Sequence, residues 1–257
     1  MPAASPFLDR DHLARSPCYA ASMAAIDSSQ ALVTGAGSGI GRAIALALLA
    51  DGMHVWLVGR DRGKLARVAE TAPGRAGIIS ADLASTEGIA RVTAALAPRL
   101  DVLVHSAGRY LRGYLASIDA AQWTALDDIN VRAPLLLTAA CLPRLRAAHG
   151  QVVFVNSSAG LHGGAGIGAY AAGKHALRAA TDALRQEVNA DGIRVLSIFP
   201  GRTDTPMQRE ILRSEQRPAP PGTLMQPEDV ASMVIAALKL PATAEVTDII
   251  MRAMRPM

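Results

Sequence analysis

The chain has 257 residues, of which half are apolar and 19% are charged, so it carries enough apolar side chains for a globular protein with a sizeable core. The formal net charge is +4, but there is no block of lysine and arginine with interleaved aromatic residues. Aromatic residues make up only 4% of the chain, which argues against nucleic-acid binding. No apolar run reaches the roughly 18 residues of a membrane span. Two cysteines and six scattered histidines give neither a disulfide framework nor a metal-ligand pair.

The first 28 residues have no basic start followed by a long apolar run, so they do not predict a signal peptide. We interpret residues 1–28 as a flexible N-terminal extension, in which Met23 is a candidate for the natural start. A reducing, cytoplasmic setting fits the low cysteine content best. Residues 29–257 are expected to form a single domain.

From Gln30 onward, short apolar runs alternate with longer helical patterns. Strands are predicted at residues 31–34, 54–58, 76–80, 101–105, 151–155, 193–199 and 245–250, with helices through 43–50 and 64–70 and a helical segment before each later strand. The spacing of roughly 20 to 45 residues suits crossovers between parallel strands. Continuous Val/Ile/Leu runs indicate strands that are covered on both faces. The sequence therefore predicts an α/β fold with a doubly wound parallel sheet of about seven strands, and a flexible loop at 213–222.

The glycine-rich run TGAGSGIG (34–41) lies between the first strand and the first helix. Glycine tolerates a positive φ and lets other groups approach the backbone, and a helix N-terminus offers free N–H groups with a partial positive charge. Such a junction is typical of a phosphate-binding loop, although an ordinary tight turn is the alternative.

The spacing T-G-x-x-x-G-x-G in this run resembles that of the short-chain dehydrogenase/reductase family. The resemblance implies a Rossmann-type fold and a nicotinamide dinucleotide cofactor. It implies that the cofactor contacts five residues of this loop, which are Gly35, Ser38, Gly39, Ile40 and Gly41.

The residue that follows the second strand bears on the choice between NADP and NAD. In dinucleotide folds an acidic residue here binds the ribose hydroxyls, whereas an arginine accommodates a 2′-phosphate. Gly59 stands in the acidic position and Arg60 follows it, which favours NADP, with NAD as the alternative. The neighbouring Asp61 weakens the signal, and Arg60 could instead be a solvated side chain after a strand.

Two further turns match the family pattern at the cofactor. Asp82 and Leu83 follow the third strand, where the resemblance places the carboxylate at the adenine amino group; a helix N-cap is the alternative for Asp82. The fourth strand leads into HSAG (105–108), where the family usually has Asn-Asn-Ala-Gly, so His105 and Ser106 depart from the pattern. The resemblance assigns cofactor contacts in this turn to Ser106, Ala107 and Gly108.

Tyr170 and Lys174 stand within a stretch of small residues and share one face of a helix, because they are four residues apart. A phenol has a pKa near 10 and a nearby cation favours the phenolate. Lys174, helped by the positive nicotinamide of an oxidised cofactor, is therefore expected to lower the pKa of Tyr170. Tyr170 then acts as a general acid in the reducing direction and as a base in the oxidising direction. An accidental pair is the alternative. The small neighbours expected to let a cofactor and a substrate approach are Ala169, Ala171, Ala172 and Gly173.

The resemblance supplies two more catalytic residues. Ser157 lies 13 residues before Tyr170, the family spacing for its catalytic serine, with Ser158 as the adjacent alternative. Asn130, on the helix before the fifth strand, is the fourth member and holds a water that links Lys174 to solvent; the alternative is an asparagine that faces water. After the sixth strand, PGRTDTPM (200–207) resembles the family motif Pro-Gly-x-Val-x-Thr. The cofactor contacts implied there are Pro200, Gly201, Thr203 and Thr205.

The sequence therefore predicts an NADP-dependent oxidoreductase that interconverts a small-molecule carbonyl and an alcohol without a metal. The alternatives are an NAD-dependent alcohol dehydrogenase of the same family and a non-catalytic dinucleotide-binding member. A sugar-nucleotide epimerase would need a substrate domain, and too few residues follow Gly201 to build one.

The expected lid, 207–225, mixes apolar residues with arginines, so apolar and anionic ketones are both compatible. Resemblance implies a homodimer or homotetramer, with the apolar run 135–142 as a candidate interface and Cys141 as a packing residue.

Overall fold

Seven parallel strands form one sheet in a computed structural model that describes residues 29–255. The order across the sheet is β3-β2-β1-β4-β5-β6-β7, and every neighbouring pair is parallel. The strands are β1 Gln30–Thr34, β2 His54–Gly59, β3 Ala76–Ser80, β4 Val102–His105, β5 Gln151–Val155, β6 Arg194–Pro200 and β7 Asp248–Met251. From β1 the chain adds strands towards one edge of the sheet, ending at β3, and from β4 onward it adds them towards the other edge, ending at β7. In such folds, ligands bind at the carboxyl ends of the strands at the switch point, which here lies between β1 and β4.

Within residues 29–255, eight α-helices connect the strands and cover both faces of the sheet. They are α1 Gly39–Ala50, α2 Arg62–Ala69, α3 Thr86–Ala95, α4 Ala120–Asp127, α5 Ala133–Ala148, α6 Gly168–Val188, α7 Pro206–Ser214 and α8 Pro227–Leu238. A π-helical turn, Asp128–Arg132, joins α4 to α5. Several helices begin at a side-chain cap; Asp61, for example, accepts a hydrogen bond from the backbone N–H of Lys64 at the start of α2.

Two apolar layers enclose the sheet, as the continuous apolar runs predicted. On one side Ile44 and Leu48 of α1 pack in the same buried cluster as Val230 and Val234 of α8. On the other side the cluster holds Leu103, Leu137, Phe154 and Leu177, from β4, α5, β5 and α6. The predicted doubly wound, Rossmann-type sheet of seven parallel strands is confirmed.

Several element boundaries predicted from the sequence differ from those in the structure, among them the start of the last strand and the start of the loop after α7. The last strand begins at Asp248 rather than at residue 245, because the Glu245 side chain accepts a hydrogen bond from the backbone N–H of Val195 at 2.7 Å instead of joining the ladder. The loop predicted at 213–222 starts too early, since α7 continues to Ser214. The predicted extension at residues 1–28 lies outside the described residues. Between residues 29 and 255, no helix is both long and apolar enough to cross a bilayer.

Candidate active site

A cavity of about 990 Å³ lies along the carboxyl ends of the strands. At one end it is lined by Arg60 and Asp82, from the turns after β2 and β3, and at the other by Tyr170 on α6 and Glu215 after α7. The switch point between β1 and β4 lies between these ends. The cavity is therefore an elongated site at the location where doubly wound folds bind dinucleotides.

The glycine-rich loop forms the floor of this cavity. Gly35 and Gly39 have φ angles of +66° and +53°, a conformation that side chains disfavour. The side chain of Ser38, the N-cap of α1, makes no capping hydrogen bond, and the first turn of α1 holds no acidic residue. Gly41 lies behind the loop: a Cβ there would approach the Gly35 carbonyl oxygen to 2.5 Å. The exposed amide groups at this helix N-terminus are thus free to bind an anionic group.

The turn after β4 is tied to the same loop. The Thr34 hydroxyl accepts hydrogen bonds from the backbone N–H groups of Ser106 and Ala107 at 3.0 and 3.1 Å. Ser106, Ala107 and Gly108, the cofactor contacts predicted in this turn, all line the cavity.

His105, the first departure from the family turn, is directed into the core instead of the cavity. Its Nε2 lies 2.7 Å from the Thr138 hydroxyl, and its ring stacks on Phe154 with centroids 4.8 Å apart. Burial lowers the pKa of His105 to about 3, so the ring is neutral at physiological pH. The change from the usual asparagine is therefore a packing difference below the turn.

The end of the cavity near β2 carries two cations. Arg60 is exposed and lines the cavity. The neighbouring Asp61 already has partners within the protein. Its carboxylate accepts a hydrogen bond from the Lys64 backbone N–H at 3.0 Å and lies 3.7 Å from Lys64 Nζ. That backbone hydrogen bond lowers the pKa of Asp61 below its ordinary value. Lys64 also lines the cavity; sequence reasoning missed it, although its position three residues after a helix cap was the available signal.

Asp82 lies at the same end and belongs to a tight turn. Its Oδ1 accepts the backbone N–H of Ala84 at 3.1 Å, while the N-cap of α3 is Ser85. The alternative interpretation of Asp82 as a helix cap is therefore wrong. Leu83 beside it is buried and lines the cavity.

Tyr170, Lys174 and Ser157 meet at the other end. The Lys174 ammonium donates a hydrogen bond to the Val155 carbonyl at 3.1 Å and lies 5.9 Å from the centroid of the Tyr170 ring. Asn156, which the sequence analysis did not assign, fixes this arrangement. Its side chain donates to the Lys174 carbonyl at 3.1 Å and accepts the Ser157 backbone N–H at 2.9 Å. The turn after β5 is thereby bound to the helix that carries the tyrosine.

The pKa of Tyr170 does not shift in the direction expected from the sequence. Burial raises the pKa of Tyr170 to about 12, and only a hydrogen bond with the Ser157 hydroxyl acts in the opposite direction. Burial lowers the pKa of Lys174 to about 8. Lys174 does not contribute to the pKa shift of Tyr170 in this arrangement, in which its ammonium donates to the Val155 carbonyl. Tyr170 thus holds its proton at neutral pH.

Asn130 lies in the π-helical turn, next to the same end of the cavity. It is 1% exposed, so the alternative of an asparagine facing water is wrong. Its Oδ1 accepts the Arg109 backbone N–H at 2.9 Å and its Nδ2 donates to the Arg109 carbonyl at 2.8 Å. The side chain therefore fixes the loop that follows Gly108.

The small residues around Tyr170 do not form the cavity wall. Ala169 and Ala171 are buried, Ala172 is exposed, and none of them lines the cavity. A Cβ at Gly173 would meet only Val131, at an ordinary 3.7 Å. The expectation that these residues admit a cofactor and a substrate is wrong, because none of the four lines the cavity.

The turn after β6 completes the wall, and all four residues predicted there line the cavity: Pro200, Gly201, Thr203 and Thr205. The Thr205 hydroxyl caps α7 by accepting the Gln208 backbone N–H at 3.1 Å. Its methyl group lies so near Gly39 that a Cβ there would be 3.0 Å away. The start of α7 thus lies against the glycine-rich loop.

The walls around Tyr170 were predicted only in part. Tyr110 meets the Tyr170 ring edge-on, with centroids 5.1 Å apart. Three other wall residues, Met207, Ile211 and Glu215, lie within the predicted lid 207–225, whereas Ile167 and Arg202 were not singled out from the sequence. For Arg202 the signal was its position directly after Pro200-Gly201. The lid arginines Arg209 and Arg213 pair with Asp204 and Glu210 and do not line the cavity.

Fold and cavity together define a Rossmann-like protein with a tyrosine–lysine pair facing a dinucleotide-sized cavity. Comparison with known proteins identifies the family: a family model for short chain dehydrogenases matches residues 29–216. An uncharacterized oxidoreductase of Staphylococcus epidermidis is 31% identical over 234 residues, which are 90% of this chain and 99% of that relative. The chain belongs to the short-chain dehydrogenase/reductase family and is an oxidoreductase of that family.

Solved structures agree with this assignment. An actinorhodin polyketide ketoreductase with NADPH superposes with a TM-score of 0.81 at 29% identity, covering 89% of this chain and 97% of that one. A 3-ketoacyl-(acyl-carrier-protein) reductase from Brucella melitensis complexed with NADH has a TM-score of 0.79 at 25% identity, with coverage of 91% and 100%. The described part of this chain contains no group of three or more side chains suited to hold a metal ion.

Proposed function

We propose that this protein is an NADP(H)-dependent oxidoreductase that interconverts a carbonyl and a primary or secondary alcohol, with Tyr170 as the acid and base. The observation that carries the proposal is the convergence of Tyr170, Lys174 and Ser157 at one end of a cavity whose other end carries Arg60, with the glycine-rich start of α1 between the two ends. The structural relatives bound to NADPH and NADH support a nicotinamide dinucleotide in this cavity.

The residues present fit such a cofactor. The open N-terminus of α1 suits the diphosphate, and Gly35 and Gly39 take positive φ angles that bring the backbone to it. Arg60 and Lys64 would hold a 2′-phosphate, and Asp61, committed to the cap of α2, does not compete for the ribose. The turn after β6, with Thr203 and Thr205, would contact the nicotinamide end.

The chemistry divides between cofactor and protein. The bound cofactor supplies or accepts the hydride. Ser157 and Tyr170 would both hydrogen-bond the substrate oxygen and orient it. With a pKa of about 12, Tyr170 keeps its proton at neutral pH and can donate it to the oxygen of a carbonyl as that carbonyl is reduced. In the oxidising direction the same hydroxyl must lose its proton, which Lys174 and the positive nicotinamide would favour.

The positioning of these groups is built from backbone contacts. Asn156 ties Ser157 to α6, and Asn130 fixes the loop after Gly108 through two hydrogen bonds to Arg109. We assign Asn130 the role of holding a water between Lys174 and solvent. These contacts keep the proton-transfer groups in place before substrate arrives.

The first experiment is a titration with NADPH and with NADH, followed by nucleotide fluorescence. Wild type is compared with Arg60→Ala and with the control Arg62→Ala, which removes an exposed arginine that does not line the cavity. We expect tight NADPH binding that weakens roughly 10- to 100-fold in Arg60→Ala alone, because a charge-assisted contact to the 2′-phosphate is lost. Equal binding of NADH by wild type would contradict the NADP assignment, and no binding of either would contradict the oxidoreductase mechanism.

A second variant separates an enzyme from a non-catalytic dinucleotide-binding member. Tyr170→Phe removes only the hydroxyl, so NADPH should bind as in wild type while turnover of a carbonyl panel falls roughly 10²- to 10⁴-fold. Unchanged turnover would show that Tyr170 is not the acid.

The proposal extends to organisation and setting. We propose a single domain at residues 29–257, a homodimer or homotetramer, and a reducing cytoplasmic location. Within the candidate interface 135–142, Leu136 is 49% exposed on the outer face of α5, whereas Cys141 is buried in the core. Light scattering of wild type against Leu136→Glu tests the assembly; an unchanged mass would contradict this interface.

A further inference from the structure

Three loops meet around one carboxylate at the substrate end of the cavity. Glu215, directly after α7, accepts a hydrogen bond from Arg112 Nη1 at 2.9 Å. Arg202, in the turn after β6, places Nη1 2.9 Å from Glu215 Oε2 and Nη2 3.3 Å from Oε1. We call Arg112, Arg202 and Glu215 the arginine–glutamate cluster. Arg202 and Glu215 both line the cavity, and the Glu215 side chain is only 13% exposed.

Backbone contacts position the cluster beside the reacting groups. The Gly113 N–H donates to the Gly166 carbonyl at 2.9 Å, which binds the loop after β4 to the loop before Tyr170. Gly166 has no side chain and a φ of +77°, and the Arg112 guanidinium carbon lies 3.9 Å from where a Cβ would be. Since β6 pairs with β5, the turn with Arg202 is next to the turn with Ser157.

The charges of this cluster do not balance. Two guanidinium groups share one carboxylate, which leaves one positive charge at the cavity wall. Arg202 Nη1 is buried and makes no well-directed hydrogen bond to any described residue, despite its short distance to Glu215. Arg109 adds a further exposed guanidinium to the same cavity. A buried or half-buried cation with unused donors favours an anionic partner.

We propose that the arginine–glutamate cluster recognises a carboxylate on the substrate, so that the enzyme acts on carbonyl compounds, or the corresponding alcohols, that carry a carboxylate. This inference rests on the proposed oxidoreductase function. Glu215 holds the Arg202 guanidinium in place, and the donors that Glu215 leaves unsatisfied, with the surplus positive charge of the cluster, remain for a substrate carboxylate. The apolar residues Met207 and Ile211 line the lid side of the same space and would contact the carbon skeleton.

The rival role for the cluster is a latch that only holds α7 closed. The two roles differ for Glu215→Gln, which keeps the size of the side chain and removes its charge. Recognition of an anion predicts that this variant binds a carboxylate more tightly, because the surplus positive charge rises. A latch predicts that it binds less tightly, because α7 is released. Under both roles Arg202→Met weakens binding, so the pair of variants separates them.

The test compares 4-acetylbenzoate with 4-acetylbenzamide, which have nearly the same shape and differ in charge. Their affinities are measured by calorimetry with and without NADP⁺, and their kcat/KM values by NADPH oxidation. Wild type should prefer the benzoate by at least about tenfold, Arg202→Met should lose that preference, and Glu215→Gln should raise it several-fold. The control Arg213→Met, an exposed residue of α7 paired with Glu210, should match wild type.

The outcomes separate this inference from the proposed function. Equal affinity of wild type for the two compounds, no benzoate binding at millimolar concentration, or weaker benzoate binding in both variants would overturn the carboxylate site. Reduction of both compounds with equal kcat/KM would overturn it as well and leave the oxidoreductase function standing. Preferential benzoate binding without NADPH oxidation would support the carboxylate site and count against carbonyl reduction.

Discussion

His105 gives the fold a dependence on pH whose size follows from its environment. The imidazole is 5% exposed, lies 2.7 Å from the Thr138 hydroxyl and stacks on Phe154. Burial lowers its pKa from 6.5 to about 3. Replacing it by asparagine, the residue usual in the family, removes the titrating group.

The sign and the magnitude of this pH dependence of the free energy of unfolding follow from proton linkage. Between pH 3 and 6.5 the unfolded chain binds a proton at this site that the folded chain excludes. The contribution of His105 to stability is therefore complete above pH 6.5 and is lost as the pH falls towards 3. At about pH 5 the site is roughly 1.5 pH units below the unfolded pKa, which at about 1.36 kcal/mol per unit corresponds to a loss of about 2 kcal/mol relative to pH 7.5.

The measurement is urea unfolding at about pH 7.5 and about pH 5, at one protein concentration, for wild type and His105→Asn. The smaller asparagine leaves space beside Phe154, so the variant should be less stable at both values. The difference between the two pH values should nevertheless shrink by about 2 kcal/mol. His162→Asn, which removes an exposed histidine, should keep the wild-type difference. An equal pH dependence for His105→Asn and wild type would refute the assignment of a buried neutral imidazole.

Two further substitutions test the geometry of the cavity floor and wall. Gly41→Ala places a Cβ 2.5 Å from the Gly35 carbonyl oxygen, so it should destabilise the fold by about 1–3 kcal/mol and weaken NADPH binding. Gly163→Ala, where a Cβ meets nothing within 4 Å, should do neither. If the Gly41→Ala and Gly163→Ala variants had the same melting temperature and the same NADPH affinity, the steric argument for Gly41 would be contradicted. Asn130→Ala leaves two backbone groups of Arg109 without partners and should cost about 1–3 kcal/mol in urea unfolding, with a larger fall in kcat than in NADPH affinity. Wild-type stability and kcat in this variant would show that the loop is held by other contacts.

The sheet and the cofactor end could be predicted because their signals are local. Each strand is a continuous apolar run, and a glycine loop between a strand and a helix is visible within eight residues. Tyr170 and Lys174 share a helix, so their common face follows from their spacing alone. Even Asp82 was placed at the cavity without any knowledge of tertiary contacts.

The substrate end could not be predicted because its contacts join residues that are far apart in sequence. Arg112 and Glu215 are separated by 103 positions, and nothing in either segment indicates that they pair. The lid arginines were equally ambiguous, since the neutralising partners of Arg209 and Arg213 appear only once α7 is folded. The pKa of Tyr170 shows the same limit, because the burial that raises it, and the smaller upward shift from Tyr110, depend on residues that are distant in sequence.

The charged side chains that line the cavity decide which ligands it attracts, and its acidic side chains come first. Each of them already has a partner: Asp61 caps α2, Asp82 accepts the Ala84 N–H, Asp128 pairs with Arg132 and Glu215 is shared by two arginines. The cations have no such balance, since Arg60 at one end and the arginine–glutamate cluster at the other keep positive charge at the wall. A cavity of this kind favours anions at its two ends, where Arg60 and the arginine–glutamate cluster keep positive charge that no carboxylate balances. A phosphorylated dinucleotide and a carboxylate-bearing substrate would therefore use the same field, the first at the β2 end and the second beneath α7.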